Sequence, residues 1–119
     1  MAKTQKKSGS YKVGKSDRDI TVAVHVDGQL GAVMIHLDKR LLVSAPAPIG
    51  QLTVGKASEV KGKLLIVETK VTDVLRNSNK MNVDVKLAGG PTPKTVPSPG
   101  EVAEQGDSIL FETSILLRE

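Results

Sequence analysis

From Asp19 onward the apolar residues of this chain recur at every second position. In "DITVAVHV", Ile20, Val22, Val24 and Val26 share one side, with Thr21, Ala23 and His25 on the other. "GAVMIHL" repeats the pattern through Val33, Ile35 and Leu37, and "DSILFETSILL" through Ile109, Phe111, Thr113, Ile115 and Leu117. Successive side chains of a strand point to opposite faces, so this period specifies β-structure with one buried face and does not line one side of a helix. "RLLVS", "QLTV", "KLLIVETKVTDVL" and "KMNVDVKL" add further strand-like runs. "SEVKG" and "GEVAEQG" have room for one helical turn each. Six to seven short strands separated by turn signals predict an all-β chain, an antiparallel β-sandwich (Ig-like or jelly-roll-like) with little or no helix. With Tyr11 and Phe111 as the only aromatics, its core must be built from Val, Leu and Ile.

Two hairpins are expected. Asp27-Gly28 is turn chemistry between the first two runs, and a four-residue loop there pairs Ile20 with Leu37, Val22 with Ile35 and Val24 with Val33. "RNSN" separates the longest run from its successor. Pairing Val71 with Val83 sets Lys70 against Asp84 and Glu68 against Lys86, whereas a two-residue slip opposes Lys70 and Lys86. Charge therefore favours the first register.

The formal charge of +4 is unevenly placed. Lys3, Lys6, Lys7, Lys12, Lys15 and Arg18 stand against Asp17 alone in residues 1–18, leaving the rest of the chain near neutrality. "MAKTQKKSGSYKVGKSDR" is poor in apolar residues, so residues 1–18 read as a flexible basic N-terminal arm ahead of one sandwich domain at 19–119. A Pro/Gly-rich loop is expected at 88–107, where "PTPKTVPSP" is either an extended segment offered to a partner or a stiff crossover.

Chemistry is hard to find. There is no Cys, which excludes disulfides, thiol catalysis and cysteine metal sites. Gly50, Gly55 and Lys56 fit most of a phosphate-binding loop, but Ala57 occupies the hydroxyl position, and the strand-then-helix setting such a loop requires is missing. His25 and His36 are expected on one hairpin at least roughly 13 Å apart, too far to share a metal. Glu68, Asp73, Asp84 and Glu112 fall on solvated strand faces, and Asp17, Asp19, Asp27 and Asp38 lack calcium-loop spacing. The chain reads as no enzyme, with no cofactor, no metal and no small-molecule ligand.

The expected function is a non-catalytic β-sandwich interaction or structural subunit, self-associating as a homo-oligomer or docking to a protein partner. Leu110 and Leu116 lie opposite Phe111, and Leu64 and Ile66 opposite Leu65 and Val67, so these strands are apolar on both sides and call for cover. The alternative is a nucleic-acid-associated protein that contacts phosphates through Lys3, Lys6, Lys7, Lys12, Lys15 and Arg18. No apolar run approaches the ~18 residues of a membrane helix, and no secretory signal pattern follows the N-terminal lysines. A cytoplasmic location is the default expectation, although a mature secreted chain lacking its signal reads the same.

Overall fold

The computed structural model describes residues 3–15, 17–26, 30–72, 80–101 and 106–119, with only the backbone of Lys3 and Leu30. These residues form nine strands and one four-residue helix, more strands than the six to seven expected. The strands are β1 (Lys3–Lys12), β2 (Asp19–Val26), β3 (Leu30–Leu37), β4 (Arg40–Pro46), β5 (Ile49–Lys56), β6 (Leu64–Thr72), β7 (Lys80–Ala88), β8 (Lys94–Glu101) and β9 (Ser108–Arg118). The helix α1 (Ala57–Val60) lies between β5 and β6. A five-stranded sheet, β1-β9-β6-β3-β4, packs against a four-stranded one, β5-β2-β7-β8. All ladders are antiparallel except β1–β9, which is parallel.

The two-residue period does what it must. Ile20, Val22, Val24 and Val26 face inward from one sheet, and Val33, Ile35, Leu65, Val67, Ile109, Phe111, Ile115 and Leu117 from the other. The ring of Phe111 is accommodated by Gly100, where a Cβ would come within 2.8 Å of Phe111 Cζ.

Both expected hairpins are corrected. β2 pairs with β5 and β7, and β3 with β4 and β6, so the first two runs lie in different sheets. β6 pairs with β3 and β9, while β7 pairs with β2 and β8. The opposed pairs Lys70–Asp84 and Glu68–Lys86 are therefore not made. Alternation fixes which face is buried, but the inward residues of β2 and β3 can meet across a sandwich as readily as within a hairpin. The connections 27–29 and 73–79 lie outside the described residues. The tight hairpin that does form, β3–β4, turns at Asp38–Lys39, with Asp38 at φ 52 and its Oδ1 accepting from Leu64 N–H at 2.9 Å.

The expected basic arm is corrected too. Lys3–Lys12 is strand β1, paired from Lys3↔Ile109 to Lys12↔Arg118, and Tyr11 near its end and Val13 just beyond it are buried anchors at the end of the core. Val13 N–H donates to Arg118 C=O at 2.7 Å, and Gly90 N–H donates to the Tyr11 hydroxyl at 3.0 Å. Charge density hid two apolar residues and an alternation that a parallel ladder can use.

The expected loop at 88–107 also contains a strand. In β8, Val96 and Ser98 point inward, while Pro97 and Pro99 turn outward opposite Asp84 and Asn82. A proline whose nitrogen lies on the free-edge side of an edge strand forfeits no ladder hydrogen bond, and Pro97 and Pro99 turn that side away from β7. The carbonyls of those prolines are taken by β1: Lys7 Nζ donates to Pro97 O at 2.7 Å and Gln5 Nε2 donates to Pro99 O. Lys94 Nζ reaches back to Ser10 O at 2.7 Å. Side chains thus close one long side of the sandwich, whereas β4 and β5 leave the other side as free strand edges. Gly89, at φ 104, lies where a Cβ would run into the Asp19 carbonyl, so the β7–β8 turn can pack onto β2 only with glycine there. Residues 102–105, within the second expected helical turn, lie outside the described residues.

Candidate functional site

The phosphate-loop look-alike resolves into strand and one helical turn. Gly50, Gly55 and Lys56 lie in β5, one of the two edge strands of the four-stranded sheet, and Ala57–Val60 is too short to present a helix N-terminus to an anion. The donors that open α1 are already taken. Ala57 N–H donates to Arg18 C=O at 2.9 Å, and Ser58 Oγ donates to Asp17 Oδ1 at 2.5 Å. That hydroxyl contact, foremost, holds the Asp17 carboxyl below its ordinary value; loss of water around it opposes the shift, and the Ser58 backbone N–H and the charge of Lys56 add smaller lowering effects. The chain's own carboxylate occupies the place an incoming phosphate would need.

The histidines are corrected in placement: His25 is exposed on β2 and His36 half-buried on β3, in different sheets. Among the described residues no three His, Asp or Glu side chains gather as a metal site. Asp84 faces His25 and Pro97 across its ladders and accepts from Asn82 Nδ2 at 3.0 Å. Glu68 stands directly opposite Glu112 on adjacent strands. Asp27 and Asp73 lie outside the described residues.

The six basic residues separate. Lys3, Lys6, Lys7 and Lys12 are strung along β1, with Lys7 engaged by Pro97. Arg18 belongs to the α1 end through its carbonyl. Lys15 lies 4.0 Å from Glu119, a carboxylate that Lys61 also contacts at 3.1 Å. These two lysines, Lys61 foremost, hold the Glu119 carboxyl below its usual range. The fold adds two cations that the sequence did not single out. Arg118 is the ladder neighbour of Lys12, and Lys94 from β8 holds Ser10; together with Lys12 they line an open hollow of about 320 Å³. Lys94 was hidden in a presumed loop. Arg118 shares the parity of Leu110 and Leu116, which marks it as outward-facing but not as a neighbour of residue 12.

A second surface is apolar. Among the described residues the exposed large hydrophobics are Met34 (40%), Leu41 (48%), Leu64 (36%) and Leu116 (45%), and all four lie on the outer face of the five-stranded sheet. Leu64 and Leu116 are register partners; Ile66 and Leu110 continue the face half-buried. A shallow hollow of about 590 Å³ runs across it between Ala32, Met34, Pro46, Lys70 and Leu110. The outer face of the other sheet presents Thr21, His25, Asn82, Asp84, Lys86, Thr95 and the two prolines instead. Among the described residues no helix is long and apolar enough to cross a membrane. Comparison with family models, curated proteins and solved structures returns no match.

Proposed function

We propose that the protein is a non-catalytic β-sandwich subunit that pairs with a second copy of itself through the outer face of its five-stranded sheet. The observation that carries this reading is the gathering, among the described residues, of all four exposed large hydrophobics on that one face, while the outer face of the opposite sheet carries polar side chains with Ala23 and two prolines. Apolar surface concentrated in one place is the usual mark of an interaction site. The face is also suited to itself. The opposed carboxylates Glu68 and Glu112 share one cross-strand row with Lys6, and the next row on that face carries Lys70, so a two-fold arrangement that offsets the rows sets acids of one copy against lysines of the other.

Light scattering of the purified chain across the micromolar range tests it. A mass twice the 12.6 kDa of the chain is expected, reverting to that of the single chain in the double variant Leu64→Glu/Leu116→Glu. Leu64 and Leu116 are partly exposed register partners, so the variant sets two carboxylates opposite one another, and circular dichroism checks that it keeps its fold. A single-chain mass for the unaltered protein throughout that range overturns the proposal.

A further inference from the structure

We infer that the end of the sandwich where β1, β8 and β9 meet holds the phosphates of a nucleic-acid backbone. Ser10 is gripped by two cations at once: Lys94 Nζ donates to its carbonyl at 2.7 Å and Arg118 Nε to its hydroxyl at 3.3 Å. Lys12, the ladder partner of Arg118, lines the same hollow of about 320 Å³. Three strands therefore bring three cations to one concavity whose lining contains hydroxyls from Ser10 and Thr92 and no carboxylate. Glu119, the acid beside the neighbouring hollow, is already engaged by Lys61 and Lys15.

Like charges brought together without a counter-ion repel, and an arriving anion relieves that repulsion; the site is electrostatically incomplete as it stands. Arg118 meets Ser10 through Nε, which leaves its two terminal nitrogens clear of protein acceptors among the described residues and suits them to a pair of phosphate oxygens. The cations continue past the hollow to Lys7 on β1, roughly 17 Å from Lys12 at about 3.3 Å per residue. A row of this kind fits a repeating anion better than a single phosphate. Both aromatic side chains, Tyr11 and Phe111, are buried, so no stacking platform reads bases and the binding is sequence-blind. This site and the apolar face are separate claims, one read by ligand binding and the other by mass.

Fluorescence anisotropy of the full chain with labelled duplexes of unrelated sequence, titrated across sodium chloride concentrations, tests the inference. Equal affinity for the duplexes is expected, with log K falling against log salt at a slope of about −3 for three neutralised phosphates. Lys94→Gln/Arg118→Gln should weaken binding at least about tenfold and flatten the slope by about 2. The control Lys39→Gln/Arg40→Gln, on the opposite edge of the five-stranded sheet, should change neither. Three outcomes each overturn the inference: no salt-dependent binding, equal loss in the control, or preference for pyrophosphate or a sulfated polysaccharide over the duplex.

Discussion

Thr69 is fully buried on the inner face of β6, between Val33 and Phe111 in the ladders, and its Oγ1 has no hydrogen-bond partner. A hydroxyl stripped of water and left unpaired costs about 1–3 kcal/mol, while its replacement by a methyl group preserves shape. Thr69→Val is therefore expected to stabilise the fold by about 1–2 kcal/mol and raise the thermal midpoint by several degrees, read by circular dichroism. An unchanged or lowered midpoint would show that the hydroxyl is satisfied or that the methyl overpacks the site. At this scale the sequence was informative wherever apolar residues alternate: the inward set of β2, β3 and β9 follows from period alone. Thr69 and Thr113 share that inward parity, so their burial was legible as well. Tyr11 and Val13 were not, because each is a single apolar residue among Lys, Ser and Gly whose burial depends on a partner strand over a hundred positions away.

At the scale of elements the chain announces strands clearly and their partners poorly. Cross-strand charge pairing selected a register for β6 and β7 that the fold does not use, and the observed β6 partner brings Glu112 opposite Glu68. Charge preferences worth about 0.2–1 kcal/mol per pair cannot compete with burial of two complete apolar faces. The junction at α1 was legible in outline: β5 is an edge strand and one turn follows it. What the sequence could not show is that Asp17, distant in the chain, would hold that turn through Ser58. A lowered folded-state pKa means that the contact stabilises α1 fully above the ordinary aspartate range, near about 3.9, and is lost as pH falls through the lower folded value. Acid titration of the Ser58 amide by NMR should thus show a midpoint below that range, and Asp17→Asn should remove the transition. A midpoint at or above the ordinary value would mean that the hydroxyl contact does not persist in solution.

The whole molecule is closed by its two ends. Arg118 and Ser10, 108 residues apart, meet across the parallel β1–β9 ladder, so the five-stranded sheet is completed only when both termini are in place. The two strands contribute unequally. β1 and the residue that follows it supply two buried apolar side chains, Tyr11 and Val13, each worth about 1.5–3 kcal/mol, and otherwise turn Gln5 and Lys7 toward carbonyls of β8. β9 lies between β1 and β6 and supplies Ile109, Phe111, Ile115 and Leu117, all fully buried. Four such side chains and two ladders exceed what a small domain can lose from a total stability of about 5–15 kcal/mol, whereas loss of β1 leaves a residue of it. Removal of residues 1–13 should accordingly leave a cooperative thermal transition at lower temperature. It should also cause aggregation at high concentration, since the exposed edge of β9 is a template for another strand. Removal of residues 108–119 should abolish the transition altogether. Calorimetry of the two truncations beside the full chain distinguishes them. If the first truncation loses its transition as completely as the second, β1 is integral to the core; if it keeps the full-length midpoint, the parallel ladder adds nothing to stability, and either result removes the inequality argued here.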